Sequence, residues 1–158
     1  MDSYGEIAPN VPHALHMPSH IYVRLGDWPR TIEWNRRSAE FAEDHKVDGA
    51  TSFHYIHALD YLVYGHLQRG EDKAAEAVWK TAQANAPQQG NFPGAYHLAS
   101  IPARLAVENR NWEAAAALMP REPAGLLVVV LVLAEGLIHA VDGIELLPEL
   151  TNSLNTRG

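Results

Sequence analysis

The chain has 158 residues, of which 47% are apolar, so it is long enough for one globular domain with a core and too apolar for a disordered segment. Its formal charge of −7 at pH 7 disfavours nucleic acid as a partner, because binding a phosphate backbone requires a basic surface. The absence of cysteine excludes disulfides, thiolate metal sites and cysteine nucleophiles. The polar N-terminus does not resemble a signal peptide, and the longest uncharged apolar run, residues 123–134, is too short to span a bilayer. We therefore expect a cytoplasmic protein with no membrane partner.

Three segments share one pattern, in which a helical run, a short polar turn and a second helical run follow each other. They cover residues 15–42, 59–87 and 99–120, and their turns are LGDW at 25–28, RGED at 69–72 and NRNW at 109–112. The pattern predicts helices over 12–25, 28–44, 52–69, 71–86, 94–109 and 111–119, with no β-sheet in residues 12–119. Pro18 and Pro102 fall inside two of these helices, and we expect each to kink its helix.

The three turns define a common register. They align on Gly26, Gly70 and Arg110, which are 44 and 40 residues apart. Glycine readily adopts the left-handed conformation that ends a helix, so Asn109 and Asn111 are the expected substitutes for it in the third turn. Small or slim side chains recur at two matched positions, which predicts close packing of the two helices in each repeat. These residues are Ser19, Val63 and Ala103 before the turn and Thr31, Ala75 and Ala115 after it.

The Gly-Asp-Trp turn, followed by a small residue, an aromatic such as Trp79, then Ala82 and Pro87, resembles the tetratricopeptide repeat signature. The segments HALHMPSHIYVRLGDW and HALDYLVYGHLQRGEDKA also resemble stretches of uncharacterised bacterial proteins with tetratricopeptide-like repeats. The resemblance implies one all-α domain over residues 1–158, an α-α superhelix of three to four helix–turn–helix hairpins. The repeats would cover about 12–45, 52–87 and 94–120, with their first helices lining a concave groove. They exceed the usual period of about 34 residues, which predicts longer connections.

Residues 123–152 are a candidate partial fourth hairpin. The run LLVVVLVL within them is rich in β-branched residues and lacks a polar face, so it is typical of a buried helix or a strand. We expect an added hairpin to cover it, or a homodimer to form through this C-terminal segment. A chain cut from a longer repeat protein is a further alternative.

Histidine occupies the same register position in all three repeats, thirteen residues before each turn anchor. Positions three, seven and eleven residues further on share its face of an α-helix. Since the resemblance implies that the first helices line the groove, we predict one polar groove surface from these positions. Its residues are His13, His16, His20, Arg24, His57, Asp60, Tyr64, His97 and Arg104.

Three interpretations of this polar stripe remain open. Its residues form a structural hydrogen-bond network, contact a ligand directly, or bind a metal ion. The metal interpretation assigns Zn²⁺ or another divalent transition metal to His16, His20, His57 and Asp60, because imidazole nitrogen and carboxylate oxygen suit such ions. The spacing matches no established motif such as HExxH.

Three classes of function follow. The chain contains neither a nucleotide-binding loop nor a GxSxG elbow, so an enzymatic role depends on the histidines alone and is not favoured. The leading prediction is a binding scaffold that holds a peptide, a protein segment or a small ligand in the histidine-rich groove. The alternatives are a metal-binding protein or metal-dependent enzyme, and a structural or oligomerising fragment.

Overall fold

The computed structural model describes residues 7–85, 89–90 and 92–118. Seven helices are described: α1 Pro12–His16, α2 Ser19–Leu25, α3 Trp28–Asp44, α4 Phe53–Gln68, α5 Asp72–Ala84, α6 Phe92–Glu108 and α7 Trp112–Ala116. No strand forms among these residues, where an isolated bridge joins Val47 and Ala50 across a tight turn. The all-α class is confirmed, and the predicted helix ends lie within three residues of the observed ones. Residues 123–152, with the predicted fourth hairpin and dimer segment, lie outside the described residues.

The first predicted helix, 12–25, is divided in two at Pro18. Proline has no backbone N–H, so α1 ends at His16 and α2 begins at Ser19. The Ser19 hydroxyl donates to the carbonyl oxygen of His16 at 2.7 Å, which gives a partner to a carbonyl at the end of α1. Pro102 does not divide its helix, since α6 runs without a break from Phe92 to Glu108.

The third turn repeats the backbone of the first two without glycine. Gly26 and Gly70 both have φ of 68°, and Arg110 adopts the same left-handed conformation with φ of 53°. The expectation that Asn109 or Asn111 would take this conformation is therefore wrong. Asn111 instead caps α7 by accepting from the backbone N–H of Ala114, as Asp27 caps α3 after Gly26.

The helices pack as three successive hairpins. Helices α1 and α2 pack on α3, α4 packs on α5, and α6 packs on α7. The six small residues that mark the shared register are all buried, so the helices approach closely there. At Gly65 of α4 an added Cβ would lie 2.9 Å from the side chain of Ile32 on α3, which shows how close these two helices are.

The first helices of the three hairpins lie next to each other. Helix α4 contacts α1 on one side and α6 on the other, and it also packs extensively on α3. Its apolar face carries the centre of the core, with Tyr55, Ile56 and Val63 almost completely buried beside Ile101 of α6. Its polar face meets the polar residues of α1, α2 and α6. Among the described helices, none has the length and apolar character that crossing a membrane would require.

Candidate metal centre

Three histidines from three helices direct the same ring nitrogen toward one point. The Nε2 atom of His16 on α1 lies 2.9 Å from Nε2 of His20 on α2 and 2.9 Å from Nε2 of His57 on α4. The nearest ligand atoms of the three side chains all lie within 4.8 Å of one another. His16 is 1% exposed, and the other two are partly buried. His16 is the last residue of α1 and His20 the second residue of α2, so the two histidines lie on either side of the break at Pro18.

The opposite nitrogen of each ring is held by a neighbouring side chain. Nδ1 of His16 lies 2.6 Å from Oδ1 of Asn35, and Nδ1 of His20 lies 3.1 Å from the hydroxyl oxygen of Tyr61. Nδ1 of His57 lies 2.7 Å from Nε2 of His97. Such contacts on the far nitrogen orient the imidazoles that bind metals and select the tautomer that leaves the near nitrogen free.

Asn35 determines the tautomer of His16. The Asn35 amide nitrogen donates to the carbonyl oxygen of Thr31 at 2.8 Å, so its amide oxygen is the atom that faces His16. An amide oxygen only accepts, and therefore Nδ1 of His16 carries the proton that is donated to it. In the neutral ring Nε2 of His16 is then unprotonated and presents a lone pair.

Asp60 determines the tautomers of His97 and His57. Burial alone raises the pKa of Asp60, but the hydrogen bond from His97, the charge of Arg104 and the Ser100 hydroxyl together hold this pKa below its ordinary value. The ionised carboxylate only accepts, so Nδ1 of His97 donates to Oδ2 of Asp60 at 3.0 Å. In the neutral ring of His97, Nε2 is then the acceptor for Nδ1–H of His57, and Nε2 of neutral His57 has no proton.

Two lone pairs consequently face each other at the centre of the site. Nε2 of His16 and Nε2 of His57 are 2.9 Å apart, and neither carries a proton when the rings of His16, His57 and His97 are all neutral. An added proton is disfavoured, because burial lowers the pKa of His16 to about 4 and that of His57 to about 3. A bound cation would turn this repulsion into attraction, since both lone pairs would then be ligands.

Asp60 does not lie where a metal ligand is required. Its side chain is 3% exposed, and its oxygens accept hydrogen bonds from His97, Ser100 and Arg104. It therefore lies outside the group of three histidines and is separated from it by His97. The prediction from the sequence that Asp60 is a metal ligand does not agree with this location. The i, i+3 spacing from His57 puts it on the correct face of α4, but it points to the next hairpin.

The remaining predicted residues surround this centre in different ways. His13 is exposed, with its ring centroid 6.2 Å from that of His16 and 5.4 Å from that of His54. Arg24 is exposed at the end of α2; the pKa of His20 is lowered chiefly by burial, then by His13 and Arg24.

Tyr64 and Arg104 form a separate stack at the edge of the centre. The Arg104 guanidinium lies 4.6 Å from the centroid of the Tyr64 ring, whose other neighbour is Trp28 at 5.5 Å. Arg104 also donates from Nε to Oδ1 of Asp60 at 3.2 Å, which links this stack to the histidines.

Two residues that orient the histidines are absent from the predicted stripe. Tyr61 lies four residues after His57, and this spacing alone places the two residues on the same face of α4. The predicted stripe omitted Tyr61 because it used offsets of three, seven and eleven residues. Its ring packs edge-on against His16 and His20, at 4.7 and 5.2 Å between centroids. Asn35 lies among charged residues of α3 and is fully buried, which no local pattern indicates. Nδ1 of His54 is also buried, and it has no hydrogen-bond partner within the described residues.

Comparison with known proteins identifies no relative: no family model, no curated protein and no solved structure matches the chain. The tetratricopeptide resemblance therefore stays a prediction from the repeated residues.

Proposed function

We propose that this protein binds one divalent transition metal ion through Nε2 of His16, His20 and His57. The observation that supports this most directly is the 2.9 Å approach of Nε2 of His16 to Nε2 of His57, because the partners of the neutral rings leave both atoms unprotonated. A network that served only for structure would place a donor against an acceptor at this contact. Asn35 and Asp60 instead direct the protons away from the centre at both ends of the network.

The donor set indicates which ions fit. Three neutral imidazoles suit Zn²⁺, Cu²⁺, Ni²⁺ and Co²⁺, whereas Mg²⁺ and Ca²⁺ prefer oxygen ligands. Around a tetrahedral ion with metal–nitrogen bonds of about 2.0–2.1 Å, ligand nitrogens lie about 3.3–3.4 Å apart. The 2.9 Å contacts are slightly shorter, so we expect binding to spread the rings by a few tenths of an ångström. With three protein ligands, one position of a tetrahedral ion stays open to water or a small ligand.

The same proposal places the centre in the groove of a tetratricopeptide-like superhelix. The contacts of α4 with α1 and α6 support this arrangement, because the first helices of neighbouring repeats lie side by side in such a fold. A peptide in this groove stays a prediction. It has less support than a metal, since His57, His97 and Asp60 already bond to each other. The oligomerising alternative depends on residues outside the described ranges.

Metal analysis of protein purified without a histidine tag tests the proposal. We expect zinc or a related ion at one equivalent per chain, and one-site binding when Zn²⁺ or Co²⁺ is added to the metal-free protein. His16→Ala, His20→Ala and His57→Ala should each weaken binding at least tenfold, since each removes one ligand. His45→Ala is the matched control, because His45 is exposed and stacks on Phe41. If a variant that combines His16→Ala, His20→Ala and His57→Ala binds Zn²⁺ as tightly as the control, the proposed site is refuted.

A further inference from the structure

A buried carboxylate is connected to the metal-binding nitrogen of His57 through a second imidazole. Oδ2 of Asp60 lies 3.0 Å from Nδ1 of His97, and Nε2 of His97 lies 2.7 Å from Nδ1 of His57. The Asp60 side chain is 3% exposed and that of His97 is 12% exposed, so water competes little for these contacts. The hydrogen-bond partners of Asp60 are His97, Ser100 and Arg104, none of them a proposed ligand, yet a continuous series of hydrogen bonds leads from it to His57.

We propose that Asp60 acts through His97 to fix the tautomer of His57, so that Nε2 of His57 stays free for a cation. This inference rests on the proposed metal site for its purpose, but the tautomer itself is a property of the metal-free protein. Asp60 and His97 are thus positioning residues. In metal proteins a carboxylate commonly holds a ligating histidine directly, and here one imidazole is inserted between the two groups.

The direction of the series depends on the partners of Asp60. Arg104 has donors but no acceptor, so the oxygen that faces its Nε must be an acceptor. The hydroxyl of Ser100 donates to the other oxygen at 3.1 Å, although a hydroxyl is able to accept as well. Arg104 therefore fixes one end of the series. Ser100 and His97, in contrast, are each able to exchange the roles of donor and acceptor.

The substitution Asp60→Asn should move the proton of each imidazole in the series to its other ring nitrogen. The new amide oxygen must face Arg104, because an amide N–H against the guanidinium would leave two donors in contact. The amide nitrogen then takes the place of Oδ2 and donates to Nδ1 of His97. His97 becomes protonated on Nε2 and donates to Nδ1 of His57, which places the His57 proton on Nε2. One exchanged group thus puts a proton where the metal ion should bind.

Nitrogen NMR of the histidine side chains in the metal-free protein at neutral pH tests this directly. We expect His57 to carry its proton on Nδ1 in the unmodified protein and on Nε2 in Asp60→Asn. Asp44→Asn is the matched control, because it makes the same exchange at an exposed carboxylate at the end of α3, and it should keep the original tautomer of His57. If folded Asp60→Asn leaves His57 in its original tautomer, the inference is overturned.

Zn²⁺ affinity, measured by competition with a chelator, gives a second and separate readout. Asp60→Asn should weaken binding about 10–100-fold, as loss of an outer partner commonly does. In a His97→Ala background the same change should have almost no effect, because the series is already interrupted. Equal losses in both backgrounds would show that Asp60 acts by another route.

Two variants of His97 keep the inference testable if Asp60→Asn fails to fold. Glutamine has a donor and an acceptor on one amide, so His97→Gln is able to donate to Asp60 and accept from His57. It should keep the affinity for Zn²⁺, whereas His97→Ala should lose it by about tenfold or more. The inference fails if the two variants behave alike. If the tautomers are as predicted but the protein binds no metal ion, the proposed function is refuted and the inference about Asp60, His97 and His57 stands.

Discussion

Nδ1 of His57 lies 2.7 Å from Nε2 of His97, although the two residues are 40 positions apart in the chain. Both stand thirteen residues before a turn anchor, in consecutive repeats. Because the first helices α4 and α6 lie side by side, equivalent register positions become neighbours in space. The histidines that recur at this position of the sequence are therefore in contact in the structure.

Tyr61→Phe should weaken metal binding while it preserves the fold. The change removes the hydroxyl 3.1 Å from Nδ1 of His20 and keeps the ring that packs against His16 and His57. We expect Zn²⁺ affinity to fall about tenfold and the free energy of unfolding to fall by about 1 kcal/mol or less. Competition titration and thermal unfolding measure the two effects. Unchanged affinity in a folded variant would mean that Tyr61 does not orient His20.

Asn35→Leu should destabilise the protein more strongly. Asn35 is fully buried, and its oxygen lies 2.6 Å from Nδ1 of His16, which would be left with only the distant Ser19 hydroxyl at 3.5 Å. We expect the free energy of unfolding to fall by about 1–3 kcal/mol. Urea denaturation measures this loss. Ser38→Ala is a useful comparison, because Ser38 is equally buried on α3 but its hydroxyl donates to the carbonyl oxygen of Pro12 and not to a histidine. Only Asn35→Leu should also weaken Zn²⁺ binding.

The metal-free protein should lose stability in acid as the unfolded chain gains protons. Burial lowers the pKa of His16 to about 4 and of His57 to about 3, from 6.5 in the unfolded chain. Between these values the unfolded state binds more protons, so the free energy of unfolding must fall as the pH drops from about 6.5 to about 4.

Urea denaturation at several pH values between 7 and 4 measures this dependence, and each pKa unit of difference corresponds to about 1.4 kcal/mol. His57→Gln removes one of the two groups and should give a shallower slope. The same slope in both proteins, or no loss of stability between pH 6.5 and 4, would contradict the depressed pKa values.

Arg110→Gly should stabilise the third turn. Arg110 has φ of 53°, a left-handed conformation that costs a residue with a side chain about 1–2 kcal/mol. Glycine avoids this cost but loses more freedom on folding, so we expect a net gain of about 0.5–1 kcal/mol in the free energy of unfolding. Gly70→Ala, at φ of 68° with open space around its Cα, should show the opposite sign. A destabilised Arg110→Gly would mean that the arginine side chain has stabilising contacts of its own.

The repeated pattern was sufficient to predict the helices, because each is marked by apolar spacing and a turn residue. It also predicted that His16, His20 and His57 approach one another, since they lie on the polar stripes of neighbouring first helices. It did not predict the role of Asp60, because periodicity gives the face of a helix and not which neighbour a side chain reaches. Asn35 lies on the second helix of its hairpin, where only tertiary packing reveals that an asparagine is buried against a histidine.

X-ray absorption spectroscopy of the zinc-loaded, untagged protein tests the central claim most directly. Its fine structure reports how many imidazole rings surround the ion and at what distance. We predict three imidazole nitrogens at about 2.0–2.1 Å and one further ligand atom from water or a small molecule. The imidazole signal should decrease in His57→Ala and stay unchanged in His45→Ala. A zinc ion surrounded mainly by oxygen, or one whose spectrum is the same in both variants, would contradict the assignment of His16, His20 and His57 as a metal centre.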